Sequence, residues 1–234
     1  MIITTDIILN GIFSIIVVIV FLIIGLKIML KYWESKEKVY FLTGFAWIGI
    51  SEPWWPSSVG FLWVIFFGTS ISLEMYVILN SGFIPLFLSC WLLAVMDIMN
   101  IKKKIVKLGA YLLIAIILES VLLYYLFTNS AIVGVLESPV DLSFGPLGII
   151  FHVFNLTIFM ISGLLFAIKT LKLDEPVDKL RGKFLLMALI LFLIGALLET
   201  LINNPLNRIV VLLCSITFYI GFMMPQKIRD YFLK

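Results

Sequence analysis

Translocating a cation through lipid is costly, and that preference orders this sequence. When the chain is threaded through a bilayer seven times with its N-terminus outside, all of its 17 Lys and Arg residues except Arg208 fall on the cytoplasmic side. The basic residues within 27–38, 102–107 and 169–183, together with Lys227, Arg229 and Lys234, then share one face of the membrane. An eight-span threading moves twelve of them outside and leaves five inside. The seven-span arrangement is therefore expected, with spans at about 7–30, 40–67, 72–99, 105–127, 147–171, 182–202 and 206–224.

Composition agrees. The chain is 62% hydrophobic and 13% charged, with a mean hydropathy of +1.17, whereas a soluble domain carries roughly 25% charged residues. The deviation runs along the whole length, so residues 1–234 read as a single transmembrane domain. Helices are the expected spanning element because a backbone in lipid must satisfy its own hydrogen bonds. The fold class expected is an all-α, seven-helix bundle, multi-pass in the cell membrane, with the C-terminus in the cytoplasm. The start of the chain has no basic flank, and the apolar run after it is too long for a signal peptide, so it reads as an uncleaved first span. The basic residues flank spans and form no aromatic-interleaved patch, which argues against a nucleic-acid partner.

The stretch 39–100 contains two breaks, Glu52-Pro53-Trp54-Trp55-Pro56-Ser57-Ser58 and Asn80-Ser81-Gly82. Pro53 and Pro56 each remove a backbone donor near the middle of the second span. A kinked span and a re-entrant turn both fit that pattern. The segment 128–146 holds Glu137 and Asp141 but no cation, and is expected to lie outside as a cap. The link around Asp174, Glu175 and Asp178 reads as a solvated, charged turn.

Ionisable groups inside a membrane cost about 2.5–3.5 kcal/mol each and need partners or a wet cavity. Here they are Glu52, Glu74, Glu119, His152, Glu199 and Arg208. Glu119 lies fourteen residues beyond Ile105, about 21 Å from the inner end of its helix at ~1.5 Å per residue. Similar counting puts the others in the outer half or near mid-membrane, and leaves the inner halves of the last four spans almost free of charge. Helical spacing adds Asn155 to the face of His152 and Asn203 to the face of Glu199. Together these eight residues are the candidate lining of an outward-opening cavity for a small polar or cationic ligand. The plainer alternative is a structural network in which Arg208 pairs with Glu199 or Glu119 and His152 bonds Asn155 or a carbonyl.

Catalytic chemistry finds little footing. No lysine lies deep in a span to hold retinal, and one histidine is too few for a zinc hydrolase. There is no nucleophile elbow and no phosphate-binding glycine loop. Cys90 and Cys214 sit in separate apolar runs and read as small buried hydrophobes. No cofactor, no metal and no enzyme activity are expected. The expected partners are the bilayer and a small polar or cationic ligand.

Two basic flanks, Lys179-Leu180-Arg181-Gly182-Lys183 before the sixth span and Met224-Pro225-Gln226-Lys227-Ile228-Arg229 after the seventh, carry a resemblance. The layout resembles the seven-helix sensory membrane domains found ahead of some prokaryotic histidine kinases. That resemblance implies extracellular sensing. With about ten residues after the last span, it also implies a separate cytoplasmic signalling partner. A transporter cycling protons or cations on its buried glutamates, and a structural assembly subunit, are the rival expectations.

Overall fold

A computed structural model describes residues 3–201 and 206–233. Helix α1 (Thr5–Ser35) starts where the Thr4 hydroxyl accepts from the Ile7 N–H, with Asp6 in its first turn, and stops at a left-handed Lys36. At about 46 Å it exceeds the ~30 Å hydrocarbon layer. Then follow α2 (Lys38–Ile50), a 3-10 turn over Glu52–Trp54, and α3 (Trp55–Phe67). Helix α3 ends at Gly68, whose φ of +70° suits a residue without a Cβ. Helices α4 (Leu73–Ser81) and α5 (Ile84–Ile98) are two halves of one rod, interrupted where Pro85 enters the first turn of α5. Next come α6 (Lys104–Thr128), a hairpin of β1 (Gly134–Ser138) and β2 (Asp141–Phe144), α7 (Pro146–Leu171), α8 (Pro176–Leu201), α9 (Asn207–Met223) and α10 (Gln226–Phe232).

This is a polytopic α-helical membrane protein. Among the described residues, five helical rods are long and apolar enough to cross a bilayer: α1, α4 with α5, α6, α7 and α8. A sixth is added if α9 and α10, bent by 86°, count as one. Helices α2 and α3 have 13 residues each, about 20 Å, too short to span singly. The lipid-facing surface is plainest on α6. Tyr111, Ala115, Leu122 and Leu126 form its one buried stripe, while Ile105, Val106, Leu113 and Phe127 stand more than 60% exposed.

Sequential rods run antiparallel and approach closely at small residues. Gly25 of α1 and Gly44 of α2 meet backbone to backbone, so that a Cβ on either would overlap the other's carbonyl oxygen. Such contacts are the usual source of helix affinity in lipid, where apolar burial drives nothing. The core is aromatic. Trp47 lies between Phe21 and Phe218, stacked on both, with ring centroids 5.4 and 3.6 Å away, and its Nε1 donates to the Ser215 hydroxyl at 3.0 Å. Trp91 packs on Phe159 and donates to the Ser162 hydroxyl at 2.9 Å.

Two expectations need correcting, and one left open is filled in. The chain is almost, not entirely, all-α, because segment 128–146 folds as an antiparallel hairpin pairing Gly134 with Phe144 and Leu136 with Leu142. The charged link is shorter than expected, since α8 already begins at Pro176. Proline suits that first position, where the N–H would be unpaired in any case. Within 52–58, where a kink and a re-entrant turn both fitted, the chain forms a 3-10 turn over Glu52–Trp54, closed by the Trp54 N–H on the Ser51 carbonyl at 3.0 Å.

Candidate ligand cavity

At the hairpin end of the bundle, α1, the two broken rods, α7, α8 and α9 enclose a cavity of about 990 Å³. That is the upper end of the ~300–1,000 Å³ usual for small-molecule sites. Its deep part is aromatic, with Trp54, Phe87, Trp91, Phe159 and Phe192. Its mouth is formed by β2 and the end of β1, with Glu137 and Asp141 on the rim.

One wall exists because two helices are broken at matching heights. Glu52 is fully buried, and its Oε1 accepts from the backbone N–H of Phe83 at 2.7 Å. In return, the Asn80 amide donates to the Pro53 carbonyl at 3.2 Å. Pro53, Trp54 and Asn80 thereby face the cavity. Further toward the hairpin, the Ser57 hydroxyl lies 2.9 Å from the Tyr76 hydroxyl and donates to the Val140 carbonyl at 2.8 Å. The hairpin turn is seated there because Gly60 leaves room: a Cβ on it would overlap the Pro139 carbonyl oxygen.

The opposite wall carries Arg208, the one Lys or Arg among the described residues that line the cavity. Arg208 is buried, and its Nε and Nη2 reach Glu199 Oε1 at 3.0 and 2.9 Å. Its Nη1 donates to the carbonyl of Asn10 on α1. The guanidinium thus ties α8, α9 and α1 together. It leaves Glu199 Oε2 with no hydrogen-bond partner among the described residues. Gly195, one turn below Glu199, packs against Val211, which turns the Glu199 face inward.

The third wall is α7. His152 Nδ1 lies 2.8 Å from the Gly148 carbonyl and therefore carries a proton and donates to it, while Nε2 lies 3.5 Å from the Ser81 hydroxyl. Asn155, one turn on, donates to the Phe151 carbonyl and accepts from the Tyr111 hydroxyl, both at 2.9 Å. Both residues border the cavity.

Of the eight residues singled out in the sequence, His152, Asn155, Glu199 and Arg208 line one space. Glu52 stands behind its wall, holding the helix break. Glu74 lies in the first turn of α4, beside the Ser72 cap. Glu119 is half-buried on α6, one turn from Ala115, and does not border the cavity. Asn203 lies outside the described residues. The expected pairing of Arg208 is with Glu199, and the expected carbonyl for His152 is its own helix's Gly148. Sequence reasoning missed Tyr76, Asn80 and Trp91. Asn80 was visible only as a helix break, and its place beside a proline-rich break was the one available signal. No protein-family model, curated protein or solved structure matches this chain.

Proposed function

We propose that the chain is a seven-span membrane protein, N-terminus outside and C-terminus cytoplasmic, whose outward-facing cavity binds a small polar or cationic ligand. In this reading α2, the 3-10 turn and α3 make one broken traverse and α9 the last. The protein acts as a stand-alone sensor, passing occupancy of the cavity to a separate cytoplasmic partner, as the resemblance to kinase-linked sensory domains implies. The observation that carries the reading is the 990 Å³ cavity itself, polar at its mouth and walls. Beneath it, the stacked rings of Phe21, Trp47 and Phe218 fill the bundle. Ligand occupancy would bear on α1, α7, α8 and α9 at once, which gives binding a mechanical route to the cytoplasmic ends.

One feature favours a carrier instead. Discontinuous helices meeting beside a cavity are how many transporters build their substrate sites, and here two such breaks are stitched together. Proteoliposomes loaded with the full chain separate the readings, using labelled organic cations from methylammonium to dodecyltrimethylammonium. Saturable binding without accumulation is the expected result. Accumulation that Glu199→Gln abolishes would replace the sensor with a carrier. Absence of both, with wild-type partner association in Glu199→Gln, would leave an assembly subunit.

A further inference from the structure

Helices α7 and α8 pack closely away from the hairpin. Toward the lysine-rich end Gly182 packs on Leu171 and Gly163 on Leu189, and the rings of Phe159 and Phe192 meet with centroids 5.2 Å apart. Beyond that ring pair the facing residues border the cavity: Leu156 and Val153 on α7, Ala196 and Leu197 on α8. Val153 and Leu197 are also 54% and 51% exposed. Half-exposed residues on two facing helices that also line the cavity mark a place where it reaches the surface between them. Val153 lies seven residues into α7 and Leu197 four before the end of α8, so the slit sits about 6–10 Å below the helix ends. With these helix ends at the outer surface, as the reading above has them, that depth falls near the boundary of headgroups and acyl chains.

Inside the slit the chemistry is divided. Glu137 and Asp141 on the hairpin and Glu199 on the wall face a single guanidinium, that of Arg208, which Glu199 already pairs, so the upper cavity favours positive charge. Below, the lining is apolar, with Trp54, Trp91, Phe159 and Phe192, which suits an apolar chain. The volume exceeds what a headgroup alone would fill.

We infer that the cavity takes a membrane-partitioned amphiphile with a cationic head, which enters sideways from the outer leaflet between α7 and α8. The chain lies on the aromatic floor and the head beneath the acidic hairpin. This inference rests on the ligand-binding reading above and adds to it the class of ligand and the route.

The test uses the full chain in lipid nanodiscs, with empty discs as the partition control. Three probes are compared: dodecyltrimethylammonium, tetramethylammonium as head without chain, and dodecyl sulfate as chain with the opposite charge. Dodecyltrimethylammonium should bind saturably and at least about tenfold more tightly than tetramethylammonium, a difference near 1.4 kcal/mol, and dodecyl sulfate should not bind. In a Cys90→Ser, Cys214→Ala background, Val153→Cys and Leu197→Cys joined by a bifunctional thiol reagent should slow association of the long probe at least tenfold. Entry of tetramethylammonium should be unchanged. Should that variant not fold, Leu197→Trp fills the same slit and should slow the same probe. Equal affinity for both cations, or an unchanged association rate after bridging, would overturn the inference while leaving a cation-binding cavity in place. Binding of no cation at all would remove the cavity reading as well.

Discussion

Glu52 closes the helix break at Phe83, and the break at Glu52 is closed in turn from Asn80. The Glu52 carboxylate accepts the Phe83 N–H at 2.7 Å, and the adjacent Pro53 carbonyl is met by Asn80, three residues before Phe83. A backbone group freed inside a membrane must find a partner other than water. Each break here supplies the side chain that the other lacks. Two interruptions that look like separate defects in the sequence are one joint, and the cavity wall is its surface.

The joint makes an asymmetric prediction. Glu52→Gln keeps an oxygen acceptor for Phe83 and should unfold within about 1 kcal/mol of the parent. Glu52→Ala leaves the Phe83 N–H without this partner and should cost about 1–3 kcal/mol. Thermal unfolding in nanodiscs distinguishes them, and equal midpoints would show that the break needs no such closure.

Arg208 makes a second. Removing it strands the Glu199 carboxylate at the cavity wall, while the Asn10 carbonyl keeps the Ser14 hydroxyl as donor at 2.8 Å. Arg208→Met should therefore destabilise by about 3 kcal/mol, the lower end for a broken buried pair, because the Glu199 side chain is 32% exposed. The double substitution Arg208→Met, Glu199→Met should recover much of the loss. A double-mutant cycle with no coupling would mean that the contact is incidental.

How much of this was legible beforehand differs by kind of force. Burial of charge follows rules local to each residue, so the positions of Glu199, Arg208 and His152 in a common polar region followed from helix counting. The partners did not, because pairing depends on which rods are neighbours. Glu119 shows the limit: its spacing to Ala115 puts it on the inward stripe of α6, yet α6 lies on the periphery and the stripe meets other helices, not the cavity. The hairpin escaped because its nine strand residues, Gly134–Ser138 and Asp141–Phe144, gain their order from docking on Gly60 and Ser57, far away in sequence. The broken rods were seen as breaks, but their mutual hydrogen bonds join residues about 30 positions apart, beyond any local pattern.

Orientation yields a third prediction. Lys103 and Glu137 are both solvent-exposed, at opposite ends of the bundle. In a Cys90→Ser, Cys214→Ala background, Glu137→Cys should react with a membrane-impermeant maleimide on intact cells. Lys103→Cys should react only after permeabilisation. The reverse pattern would invert the topology and turn the cavity toward the cytoplasm, contrary to the distribution of cations.

Two glycines, finally, should respond in opposite directions to the same substitution. Gly109 lies within α6 with nothing within 4 Å of the place a Cβ would occupy. Gly109→Ala should thus stabilise by roughly 0.5–1 kcal/mol through the lower entropy cost of alanine in a helix. Gly60→Ala pushes a methyl group into the Pro139 carbonyl and should cost about 1–3 kcal/mol. The hairpin can relieve the clash only by lifting, which breaks the 2.8 Å bond from Ser57 to Val140. Protease cleavage within 134–144 should then rise in Gly60→Ala and stay at the parental level in Gly109→Ala. Bound dodecyltrimethylammonium should leave the lifted cavity faster. Unchanged cleavage in Gly60→Ala would mean that the hairpin is not held by this seat, and the mouth of the cavity would lose its roof.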